Sequence, residues 1–221
     1  MQKFATTSPV TAVLEVTAGR VQLIAADRND AVVEVRPANP AKSRDVKAAG
    51  QFEVSFADGV LRVHNPQARN QYFGPSGSVE ITVQLPSGSG VQGKSAACEL
   101  RGVGRLGDVV FDGAYHRIKL DEAASLRLTA TDGDVEVGRV GGPARITTAR
   151  GDIRIVEAVR GDFELRTHAG DITVGAATGV SASLDAKTGY GRISNALKND
   201  GTPELTIRAT VSAGDITAHS R

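Results

Sequence analysis

The sequence predicts an all-β protein: a parallel β-solenoid with an N-terminal β-rich capping region and one short helix. Three observations predict it. The stretch 126–174 writes one unit three times: an alternating strand, a Gly-Asp step, and a second alternating strand. The Asp of each step is Asp134, Asp152 and Asp171, at intervals of 18 and 19 residues, and self-similarity at a near-fixed interval marks stacked-repeat architectures. Within a unit, Ala144-Arg145-Ile146-Thr147-Thr148 and Asp152-Ile153-Arg154-Ile155 send Ile to one side and Arg to the other, the period of two of a half-buried strand.

One such unit cannot bury its apolar face alone. Stacking copies about 4.8 Å apart gives every backbone N–H and C=O a partner in the next coil. It also lines Ile, Val and Leu into a continuous interior, where each enclosed side chain contributes roughly 1.5–3 kcal/mol. The bend between strands needs a residue with φ > 0 and a side chain able to bond nearby N–H groups, which accounts for Gly133, Gly151, Gly170 and Gly214 and their Asp neighbours. An antiparallel meander or sandwich fits the same alternation, but it has no need for the same turn chemistry at the same place in each unit.

In chain order, Thr11 to Val16 reads as a strand, Ala18-Gly19 as a turn, and Val21 to Ala25 as a returning strand. Val32 to Val35 is a third strand, stopped by Pro37. Ala41 to Ala49 has helix composition, with Gly50 just past its end. Phe52 to Phe56, Asp58-Gly59 and Val60 to Val63 form a hairpin pattern. The polar stretch 65–78 is a loop, and Val79 to Leu85 is a strand ended by Pro86. Ser87 to Gly90 (SGSG) reads as a flexible joint, dividing a capping region at 1–86 from solenoid repeats at 87–221, the two forming one continuous unit. Looser coils precede residue 126. In a later one, the Gly-Asp step gives way to Gly189-Tyr190-Gly191, and the last copy ends at Gly214-Asp215-Ile216-Thr217. The C-terminal end, beyond the strand at 205–210, shows no obvious cap.

Composition narrows the function. Lys plus Arg is 26 and Asp plus Glu 25, so there is no basic excess to attract nucleic acid. Aromatics are 4% and Trp is absent, which disfavours stacking platforms for single-stranded nucleic acid or carbohydrate. Cys98 is the only cysteine, so no intramolecular disulfide is expected. The N-terminus MQKFATTSPVTAVLEV lacks an apolar core of signal-peptide length. No run of about 18 apolar residues occurs. A cytoplasmic protein without a membrane span is the expectation, with the cell surface as the alternative.

The tandem GDVEV, GDIRI and GDITV units, with LEVTAGRVQLIAAD and VEITVQLPSG before them, resemble the bacterial putative-adhesin β-strand-repeat family, a domain of unknown function. The likeness runs from about residue 10 to 217. It implies a right-handed parallel β-solenoid and brings no catalytic or binding residues with it.

Each chemical candidate has a structural counterpart. Asp134, Asp152, Asp171 and Asp215 could form a carboxylate column, and a hard cation such as Ca²⁺ would relieve its repulsion. Satisfaction by backbone N–H groups explains the same residues, and no metal or cofactor is expected. Arg-Gly-Asp occurs at 150–152 and 160–162, but the first lies in the repeat step. His64, His116, His168 and His219 lack metal-ligand spacing. Cys98 reads as a small core filler. Arg69, Tyr72 and Phe73, a polar loop holding two adjacent aromatics, are the candidate binding residues, because aromatics with Arg anchor interfaces; covering the solenoid end is their structural role. No nucleophile elbow, phosphate loop or dinucleotide fingerprint is present.

The reading is a non-enzymatic scaffold or interaction protein. Its partner is an unknown protein or a second copy docked through the solenoid ends. The alternatives are a cell-surface adhesin and a carbohydrate-active solenoid enzyme.

Overall fold

Alternation builds each wall. In β9 (Ala144–Arg150) Ala144, Ile146 and Thr148 are buried and Arg145 is exposed; in β10 (Ile153–Ala158) Ile153, Ile155 and Ala158 are buried and Arg154 is exposed. A computed structural model describes residues 1–66 and 77–221. Neighbouring copies run parallel and in register. Val135 of β8 (Val135–Val140) partners Ile153, which partners Ile172 of β12 (Ile172–Ala176). On the facing wall Ile146 partners Leu165 of β11 (Gly161–Ala169). Each coil thus lays two strands across a shared apolar interior, as a parallel β-solenoid requires.

The bend between the walls is a column of glycines. Gly151 has φ +126°, and a Cβ there would lie 2.3 Å from the Gly133 carbonyl oxygen one coil away. Both the backbone conformation and the close approach exclude a side chain. The 43-residue β7 (Gly90–Asp132) winds through the earlier coils without a break. Ser95 Oγ donates to Gly113 O and Arg101 Nη1 donates to Lys119 O, each across 18 residues, so the looser part keeps the period of the regular part.

The order of coils departs from the order of sequence at both ends. β2 (Thr11–Ala26) pairs parallel with β7 on one side and with β5 (Val60–His64) and β6 (Val79–Pro86) on the other. The coil that comes first in the chain is therefore tucked inside a later one. At the opposite end β15 (Leu205–Ala213) lies between β11 and β13 (Ala182–Tyr190). Likewise β16 (Ile216–Ser220) lies between β12 and β14 (Ile193–Ala196). Chain termini fray when held on one side only; here both terminal coils are held on two.

The N-terminal end finishes in reversed strands. β3 (Asp30–Pro37) runs antiparallel to β6 and carries β1 (Gln2–Ala5), and β4 (Glu53–Ala57) runs antiparallel to β5. The helix α1 (Ser43–Gly50) packs on β3 and β6, and its buried Asp45 accepts a hydrogen bond from the Ser78 amide at 3.0 Å.

The expected helix and the Asp58-Gly59 hairpin are where the sequence puts them. Two local readings are corrected. Ala18-Gly19 is a corner within one continuous strand, because Gly19 (φ +133°) packs against β6, with Val79 O 1.9 Å from where a Cβ would stand. Ser87 to Gly90 is a fixed crossing point. Ser89 is fully buried; its hydroxyl donates to Pro86 O at 2.7 Å and accepts from Val10 N at 3.1 Å, where the chain steps across β2.

Candidate interaction surface

The Asp of each step is already in use. Asp134 Oδ1 accepts from the Asp152 amide at 3.0 Å and Asp152 Oδ1 from the Asp171 amide at 2.8 Å. Asp171 Oδ1 accepts from the Asp215 amide and Asp215 Oδ1 from the Arg192 amide, both at 2.8 Å. This ladder explains the spacing without a cation, and it follows the order of stacking, not the order of sequence. Among the described residues no group of three or more His, Cys, Asp or Glu side chains could hold a metal ion. The outermost coil has no coil beyond it to receive a carboxylate. There the Asp is replaced by Arg192, whose Nε lies 3.8 Å from Asp215 Oδ2.

The other sequence candidates are similarly absorbed. Arg150 pairs with Asp132 at 2.7 Å, and Gly161 N donates to Glu204 O at 2.9 Å, so each Arg-Gly-Asp belongs to the stacked framework. His168 Nδ1 meets Ser212 Oγ at 3.4 Å, and His116, at φ +81°, takes a corner position against Tyr115. Burial pushes the Cys98 thiol up to about 11, which removes the thiolate that reactivity needs. Arg69, Tyr72 and Phe73 lie outside the described residues.

The two walls face outward with mixed charge. On one, Arg145 reaches Glu164 at 2.7 Å and Arg166 reaches the same carboxylate at 2.5 Å. On the other, Lys119 pairs with Glu136 at 3.0 Å and Arg101 with Asp121 at 2.8 Å, and Arg139 pairs with Glu157. Such exposed pairs contribute about 0–1 kcal/mol each; they keep the face polar and flat. The groove over the first wall, between Arg127, Arg145, Asp162 and Arg208, is shallow and open.

Sequence reasoning expected an uncapped end beyond the strand at 205–210; that strand lies inside the stack, and the outermost coil is the one formed by β13 and β14. Its strands are bonded on one side only: β13 pairs with β15 and β14 with β16. Tyr190 is 82% exposed and Ile193 46%.

These features define a class: a parallel β-solenoid whose turn chemistry serves stacking, with two flat walls and an outermost C-terminal coil bonded on one side. Residues 12–221 match Toastrack DUF4097, and the chain belongs to that family. No protein of curated function matches it. A "putative cell adhesion protein" from Clostridium sporogenes is similar at 10% identity over 100% of this chain and 98% of that one, with a TM-score of 0.39. A "putative adhesin" from Bacteroides fragilis is 12% identical over 98% and 95%, TM-score 0.41. Another from Parabacteroides distasonis is 13% identical over 98% and 95%, TM-score 0.37. Among the described residues no helix is long and apolar enough to cross a membrane.

Proposed function

We infer that this protein is a non-enzymatic interaction module of the adhesin type, binding a protein partner or a second copy of itself through the surfaces of a rigid solenoid. The observation that carries the reading is the Asp ladder. The side chains most able to do chemistry are bonded to the backbone of the next coil, and what remains outside is flat charged wall. Residues 1–86 act as the cap and 87–221 as the repeat array of one continuous unit. Arg69, Tyr72 and Phe73 supply the anchor for a protein partner, since aromatics with Arg concentrate binding energy. A pull-down from native lysate with wild type and with Tyr72→Ala/Phe73→Ala tests this. Partners held by the wild type and lost by the variant are expected; the same set on both removes the anchor. Cytoplasmic location is part of the proposal, and recovery of the native protein in the surface fraction would replace it with cell-surface adhesion.

A further inference from the structure

We propose that the open edge of β13 is a homodimer interface, at which a second copy adds its own β13 antiparallel about a two-fold axis through Ala186. This rests on the interaction reading and names the partner and the contact.

The backbone supplies the first argument. Leu205 N donates to Ser181 O at 3.2 Å, and the strands stay in register from Ala182↔Leu205 to Thr188↔Val211. In a parallel pair alternate residues bond to the neighbour, so Ser183, Asp185 and Lys187 turn their N–H and C=O groups toward β15. Those of Leu184, Ala186 and Thr188 face the open side. Ala182 faces the same way, and its N–H is already taken by Lys198 O at 2.9 Å. Three consecutive open positions centred on Ala186 are what a two-fold antiparallel pair uses: Ala186 bonds to its own copy, and Leu184 to Thr188 of the other.

The side chains supply the second argument. Asp185 and Lys187 are exposed on the outer face, and neither has an ion pair among the described residues. An axis through Ala186 sets Asp185 of each copy opposite Lys187 of the other, giving two opposite-charge pairs directly across the ladder. Parallel pairing in register would set Asp on Asp and Lys on Lys, which is unfavourable. The strand therefore carries charges that discourage most edge pairings and accept one, its own image. The contact is isologous and closes at two copies.

Sedimentation velocity on the full-length chain, from low micromolar to near-millimolar concentration, tests this. The wild type is expected to pass from monomer to dimer. Ala186→Pro removes an N–H that the fold does not use, and is expected to stay monomeric with its melting temperature retained. Asp185→Lys turns both cross-strand pairs repulsive and weakens the dimer by about tenfold or more, and Asp185→Lys/Lys187→Asp restores it. If the proline variant fails to fold, the two exposed charge variants decide. A wild type monomeric throughout, or a dimer indifferent to these changes, overturns the proposal. A monomeric wild type that still retains partners in the pull-down overturns the edge contact alone and leaves the interaction reading standing.

Discussion

The two ends of the stack solve one problem differently. At each, the terminal coil of the sequence is tucked one place inward, so that β2 and β15–β16 have neighbours on both sides. Beyond that point the ends diverge. The N-terminal end adds reversed strands β4, β3 and β1 and the helix α1. The C-terminal end stops at β13 and β14 with an open edge. Tucking protects a terminus from fraying; only covering protects an edge from pairing. Among the described residues both ends still finish in edge strands, β1 and β4 at one and β13 and β14 at the other; the N-terminal edges are reversed strands, whereas the C-terminal edge is the bare side of a full parallel coil.

The sharpest way to break this comparison is to place a Cβ at the corner glycine of each tucked coil. In Gly19→Ala the new atom would stand 1.9 Å from Val79 O, in a strand pinned between β7 and the covered coil. In Gly214→Ala it would stand 2.1 Å from Gly170 O, with a single coil outside it free to shift. The first is expected to cost about 4 kcal/mol and the second about 2 kcal/mol, read as shifts in urea midpoint. Equal costs would mean that the covered end is no more rigid than the open one.

A smaller effect compares a buried and a half-buried hydroxyl. Ser89→Ala removes the hydroxyl that Val10 N–H donates to, while Pro86 C=O keeps the Ser89 amide at 3.2 Å, and is expected to cost about 2 kcal/mol. Thr188→Val at the open end removes only the hydrogen bond from Oγ1 to Gly214 O, and is expected to cost about 0.5 kcal/mol. Amide exchange separates them: the first opens several coils, the second only the last.

The coil was legible in the sequence because its causes are local. Alternation and the Gly-Asp step appear in every unit, so period, parallel stacking and buried face follow from a few residues. The order of coils was not legible. Ala182 and Gly161 both partner Leu205, so β11 and β13 offer matching registers, and nothing in either strand says that a later segment lies between them. Arg192 stands where four inner coils have Asp, but Arg117 holds the same place before Ile118 in another inner coil, so that substitution alone does not mark the outermost place. Gly19 was read as a hairpin turn because a hairpin and a solenoid corner ask the same of a glycine. Ser89 was read as linker because a crossing point and a flexible joint share small polar residues. Of the binding surface, the sequence led to an aromatic loop outside the described residues, while the open edge is built of ordinary strand residues.

The smallest effect concerns acid, and it discriminates most finely between the ends. The Arg28 guanidinium, and then the Lys3 ammonium, hydrogen-bond the Asp30 carboxyl and hold it below the usual 3.8. At the other end the Ser181 hydroxyl, followed by the Thr202 amide, lowers Asp200 from the same value. A depressed carboxyl contributes its stabilisation fully above its unfolded value and loses it as pH falls through the folded one, so both contributions fade below 3.8. What each releases differs. Lys3 lies in β1, 2.9 Å from Asp30, so protonation loosens the outermost strand of the cover, whereas the Asp200 contacts lie in the 197–204 connection and at Ser181, just before β13 and outside its ladder with β15. Below pH 3.8 the amides of β1 are expected to exchange faster while those of β13 hold. In Asp30→Asn the β1 amides should exchange fast at neutral pH already and respond no further to acid. If β1 and β13 loosened together, the cover and the open end would be one cooperative unit, and the asymmetry between them would be geometric without being energetic.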